Sequence, residues 1–143
     1  MNVRVTAAAP AVTTSSDTIL RGLGGVLLLG VAEIHFLDVF DKFDESVAQG
    51  WMFASLIVGC LVATVALVHR STLLVWTLAA MCGAAPIAGY IVSRSLGLAG
   101  VADDIGNWKE PLGLASLSVE GSLLLVSIYG FLNTRRSDSA QQS

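Results

Sequence analysis

An all-α bundle of four membrane-spanning helices, with both termini cytoplasmic, is the fold class that three observations predict. Hydrophobic residues make up 54% of the chain and charged residues only 13%, with a mean hydropathy of +0.72, a balance that a soluble domain of this length rarely shows. Four apolar segments each reach the length that a bilayer demands, about 20 residues, because the hydrocarbon core is roughly 30 Å thick and a helix rises about 1.5 Å per residue. Most of the arginines gather on one side of those segments.

The first span, residues 20–40, follows a small and polar stretch, VTAAAPAVTTSSD. That composition predicts a disordered tail over residues 1–18. No short apolar run follows Arg4 directly, as a cleavable signal peptide would require, so the first span is expected to be retained. The second span, 51–68, contains LIVGCLVATVALV, which lacks the period of two that a barrel strand shows and reads as helix. Ser55, Gly59 and Ala63 recur there at four-residue spacing and form a small face suited to close helix approach. The third span, 73–92, is interrupted by Gly83, Pro86 and Gly89. Pro86 removes a backbone donor and crowds the carbonyl of Cys82, which predicts a kink. The fourth span, 112–132, opens with Pro111 in its first turn and Glu110 at its positive end. Residues 19–133 thus form the transmembrane domain, and RRSDSAQQS within 134–143 reads as a second disordered tail.

Orientation follows from the positive-inside rule. Arg4, Arg21, Arg70, Arg135 and Arg136 share one side, whereas Lys42, Arg94 and Lys109 share the other with Asp41, Asp44, Glu45, Asp103, Asp104 and Glu110. The arginine-rich side, with both termini, is therefore expected to face the cytoplasm of a multi-pass cell-membrane protein. Trp51 and Trp108 then fall at the outer interface and Trp76 and Tyr129 at the inner one, as aromatic belts do. The net charge of -3 gives no footprint for nucleic acid, which leaves membrane lipids, a second copy or a membrane-complex partner as the expected contacts.

An ionisable group within a span costs on the order of 3 kcal/mol unless it reaches water, the interface or a partner. Glu120 lies about nine residues, roughly 13 Å, inside the fourth span, too deep to snorkel easily. Gly113, Ser116, Glu120 and Ser127 fall on one stripe of that helix, which should face the bundle. In the first span, His35 and Asp38 share a face, the arrangement of a carboxylate orienting an imidazole or of two ligands on one metal. Glu33 is rotated by about 200° from His35 and points elsewhere. Arg94, at the outer end of the third span, is either a headgroup snorkeller or an ion-pair partner for these acids. His35, Asp38, Glu120 and Glu33 are the candidate metal ligands, and a divalent ion is the cofactor they would take. His69 lies about a membrane thickness from His35 and reads as interfacial. Cys60 and Cys82 read as small core residues, with no disulfide expected.

The pattern YIVSRSLGL, then NWKEPLGLASLSVEG, together with AEIH in the first span, resembles uncharacterised four-span integral membrane proteins frequent in actinobacteria. The resemblance covers nearly the whole chain and implies fold and location only, with no chemistry to carry onto Glu33, His35, Arg94 or Glu120. The leading functional expectation is a non-enzymatic bundle or accessory subunit, because no HExxH motif, nucleophile array or phosphate loop is present. The alternative is an outward-facing protein that handles ions, protons or metal through its intramembrane Glu and His residues.

Overall fold

The computed structural model describes residues 12–98 and 104–141. They form four helices: α1 Val12–Glu45, α2 Val47–His69, α3 Leu73–Ser95 and α4 Pro111–Gln141. Each is long and apolar enough to cross a membrane, which makes the chain a multi-pass membrane protein. Successive helices run antiparallel, α1 packing most closely on α2 and α3 on α4, and α4 returns against α1 to close the ring. The start of α1 and the end of α4 therefore lie at the same end of the bundle. Large apolar side chains cover the outside, among them Val26 and Phe36 on α1, Val62 on α2, Met81 on α3 and Leu125 on α4. Such a surface suits hydrocarbon and would promote aggregation in water.

The helices overrun the expected spans, α1, α2 and α4 at both ends and α3 at its C-terminal end only. Between α1 and α2 only Ser46 is non-helical, its N–H bonded to the Lys42 carbonyl at 2.9 Å and its carbonyl to the Gly50 N–H at 3.0 Å. Gly50 must lack a side chain because the Phe43 ring occupies the space where a Cβ would stand, and Phe43 meets Trp51 edge-on at 5.7 Å. α4 continues through residues 134–141, which were expected to be a disordered tail. Arg, Ala and Gln favour helix there, and the hydroxyls of Thr134, Ser137 and Ser139 bond carbonyls one turn back. α1 likewise begins at Val12. Residues 1–11 of the expected N-terminal tail, with Gly100 and Asp103, lie outside the described residues.

Near the termini the bundle is tightly filled. Trp76 is fully buried, lying over Gly130, where a methyl group would collide with its ring, and beside Gly24, where one would be crowded by the ring and by Leu67. Its indole N–H donates to Ser71 Oγ at 3.1 Å, which satisfies the one polar atom it buries. Trp76 thus points inward rather than joining an interfacial belt, because two glycines on neighbouring helices leave it a socket, while Tyr129 is exposed. Arg21 donates from Nε to the Leu67 carbonyl at 2.6 Å and from its terminal nitrogen to the Val68 carbonyl. Carbonyls that the end of α2 would otherwise leave without partners are satisfied in this way.

The small-residue face of α2 is only partly used. Ala63 is fully buried and Gly59 lies against Cys82, but Ser55 is exposed and its hydroxyl bonds the Trp51 and Met52 carbonyls. A closer approach belongs to Gly83, where a Cβ would stand 2.9 Å from the Glu120 carbonyl oxygen. α3 runs unbroken through Pro86. Cys60 and Cys82 are free thiols within the buried core.

Candidate ligand cavity

At the end of the bundle away from the termini, the helices part around a cavity of about 190 Å³. Its floor is built by α4 and α1. The absence of a side chain at Gly83 brings the backbone of α3 against Glu120 and Leu124 of α4, which fixes the turn from which the Glu120 carboxyl reaches across the bundle. Glu120 is 2% exposed and His35, facing it from α1, 7%. His35 Nε2 lies 3.7 Å from Glu120 Oε1, and Ser116 Oγ donates to the same carboxyl oxygen at 2.5 Å. The His35 ring rests on Phe53 of α2, centroids 4.9 Å apart.

His35 Nδ1 is 2.9 Å from the Val31 carbonyl. A carbonyl only accepts, so Nδ1 carries a hydrogen and Nε2 is left to face the carboxyl. One proton on either Nε2 or Oε1 makes the two groups complementary, as imidazole and carboxylic acid or as imidazolium and carboxylate, at a separation longer than a hydrogen bond. The floor of the cavity is therefore complementary while that one proton is present, and its loss would leave two acceptors face to face.

Above the floor, the wall becomes charged. Asp38 stands one turn beyond His35, lines the cavity and makes no hydrogen bond or ion pair among the described residues. Lys42 is engaged by Glu45 at 2.7 Å. Arg94, 6% exposed, pairs with Asp104 Oδ2 at 2.6 Å and with Glu110, and its guanidinium sits 4.8 Å from the Tyr90 ring centroid. The same turn of α3 fastens the connection to α4. The Arg94 carbonyl accepts from the Gly106 N–H at 2.9 Å, and Tyr90 donates its hydroxyl proton to the Trp108 carbonyl at 3.1 Å. Gly106, at a φ of +81°, takes a backbone conformation that side chains disfavour, and Gly113 leaves room for the Tyr90 ring.

Two donors on this wall have no acceptor among the described residues. Gln49 is 4% exposed and its amide nitrogen has no hydrogen-bond partner, and neither has Arg94 Nε. Leaving a buried donor unmet costs about 1–3 kcal/mol. Apolar groups complete the enclosure, with Met52, Phe53 and Leu56 from α2 opposite Ala85 and Pro86 from α3.

The polar stripe expected on α4 is buried as anticipated: Ser116, Glu120 and Ser127 all face the bundle, with Gly113 half-buried beside them. The His35 face of α1 turns toward Glu120, and Asp38 follows it to the cavity wall. Glu33 is exposed on the opposite side, among Val26, Leu29 and Phe36. The four candidate metal ligands therefore do not gather, and among the described residues no three His, Cys, Asp or Glu side chains are placed to hold a metal ion. The physical reason is the rotation of about 200° between Glu33 and His35, which one straight helix cannot bring to one side. Arg94 finds its partners in the loop and at the start of α4 rather than among the in-span acids. Gln49, Phe53 and Tyr90 were not foreseen as site residues. Gln49 fell between the expected spans, where a polar residue carries no signal.

No protein family, curated protein or solved structure matches the chain.

Proposed function

We propose that the chain is a non-enzymatic integral protein of the cell membrane, with cytoplasmic termini, that binds a small molecule in a cavity opening on the outer side. The supporting observation is the cavity itself. It combines a buried His35–Glu120 pair with an Asp38 that is unpaired, and a Gln49 amide donor that has no acceptor, among the described residues. A bundle built only for packing gains nothing from such a wall, since each unmet polar group lowers its stability.

The test uses Gly89, which lines the cavity and where an added Cβ would meet nothing within 4 Å. Gly89→Leu fills the space without a clash at its first carbon. Wild type and variant in lipid nanodiscs are compared by thermal unfolding against a panel of small amphipathic solutes. A solute at about a hundred times its dissociation constant stabilises wild type by about 2.7 kcal/mol and leaves Gly89→Leu unmoved. If every solute shifts both proteins alike, the cavity is not a binding site.

A second reading, an accessory subunit or self-assembling bundle, is supported by Glu33. A carboxyl on the lipid-facing side of α1, several residues inside the span, lacks among the described residues the partner that hydrocarbon requires of it. A neighbouring chain would supply that partner. Crosslinking in native membranes that is lost in Glu33→Leu supports this reading, and an unchanged pattern removes its basis.

A further inference from the structure

The wall of the cavity selects among ligands by charge, and this selection rests on the binding reading above. Of the ionisable groups that line it, Asp38, Asp104, Glu110 and Glu120 outnumber Lys42 and Arg94. Both cations are already engaged, Lys42 by Glu45 and Arg94 by Asp104 and Glu110. An anionic ligand therefore meets a surplus of acids, and the cations it meets already hold carboxylates, with Arg94 Nε keeping a hydrogen to donate among the described residues. Asp38 is the reverse case, a carboxyl at the mouth with no ion pair or hydrogen bond among the described residues, its attractive neighbour Lys42 being held by Glu45. An acidic wall bounded by low-dielectric apolar groups concentrates cations.

A cation alone leaves Gln49 unmet. Its side chain is 4% exposed and its amide nitrogen donates to nothing among the described residues. Rotation about its soft terminal torsion turns that N–H toward the cavity that Gln49 lines. Gln49 begins α2 one turn before Phe53, and Asp38 lies one turn beyond His35, against which Phe53 packs. The two polar groups thus stand at one level near the mouth, with the apolar wall of Met52, Phe53 and Leu56 running inward from them.

We infer that the cavity takes a small amphipathic ammonium compound that also carries a carbonyl oxygen, its ammonium at Asp38, its carbonyl at Gln49 and its apolar body against Phe53 and Leu56. The combination explains why the site keeps an unengaged acid and an unengaged donor at one level of its wall. Neither an uncharged molecule nor a simple amine satisfies both.

Four probes on one phenyl skeleton separate the contributions: phenylalaninamide, with ammonium and carbonyl; phenethylamine, with ammonium alone; 3-phenylpropanamide, with carbonyl alone; and 3-phenylpropanoate, an anion. Binding to the full chain in nanodiscs is measured by calorimetry at pH 6, below the usual α-amino range of about 7.7–8.0, with Gly89→Leu subtracting partition into lipid. Phenylalaninamide is expected to bind tightest, phenethylamine about tenfold weaker, and the two probes without an ammonium group about tenfold to a hundredfold weaker. Asp38→Asn should weaken both amines alike. Gln49→Leu should reduce phenylalaninamide to the affinity of phenethylamine and leave the latter unchanged.

Equal or tighter binding of the propanoate or propanamide, or amine affinities indifferent to Asp38→Asn, overturns the ligand class. Provided that Gly89→Leu still abolishes that binding, the cavity reading survives. Failure of all four probes to distinguish wild type from Gly89→Leu strikes the cavity reading itself, and this inference with it.

Discussion

Replacing Gly83 by alanine tests the contact that positions the floor of the cavity. A Cβ at that site would stand 2.9 Å from the Glu120 carbonyl oxygen and 3.3 Å from the Leu124 nitrogen. Both are backbone atoms of α4 and cannot rotate away. Since heavy atoms settle at about 3.5–4.0 Å, α4 must withdraw by roughly 0.6–1.1 Å. Overpacking of this kind costs about 1–3 kcal/mol, and the better helix propensity of alanine returns up to about 1 kcal/mol. A net loss of up to about 2 kcal/mol is expected. Gly121→Ala is the matched control, because a Cβ there meets nothing within 4 Å; it should gain about 0.5–1 kcal/mol from helix propensity alone. Reversible unfolding by SDS in mixed micelles, followed by circular dichroism, measures both. Equal stability of the two variants would refute the close α3–α4 approach and, with it, the placement of Glu120.

Arg94→Gln removes the cation shared by Asp104 and Glu110 and should cost about 2–4 kcal/mol, less than a fully buried pair because Glu110 is partly exposed. It should also release the connection between α3 and α4, seen as faster tryptic cleavage at Lys109; an unchanged cleavage rate counts against the strap. Trp76→Ala empties the socket at the terminal end and should cost about 3–5 kcal/mol in the same SDS titration, whereas Trp51→Ala, at an exposed position, should cost far less. Glu33→Leu should leave stability in micelles equal or higher and ease membrane insertion by up to about 3 kcal/mol; a marked loss of stability would show that the carboxyl has a partner inside the bundle.

What could be read from the sequence was what depends on one helix at a time. Hydropathy located all four spans, and the 3.6-residue period put Ser116, Glu120 and Ser127 on an inward stripe without knowledge of their neighbours. The same rule separated Glu33 from His35. Contacts that depend on which helices meet were not readable. Gly83 looked like an interruption beside Pro86, yet its role is to admit the backbone of α4. Trp76 looked like a belt residue because its socket is made by Gly24 and Gly130, far away in the chain. Polar helix ends misled in a third way: residues 41–45 and 134–141 are hydrophilic and read as loop or tail, although nothing in them breaks a helix. Gln49 was hidden by the same error.

The seating of Trp76 also bears on how the cavity could change width. With its ring wedged between Gly24 and Gly130, the bundle is riveted at one end, and its helices resemble the arms of a pair of tongs. Tyr90 lies fourteen residues along α3 from that rivet, about 21 Å at 1.5 Å per residue. At that lever length, a tilt of about 3° moves the far end by about 1 Å. Motion too slight to disturb the packing around Trp76 is thus enough to alter the mouth by a substantial fraction of an atomic diameter.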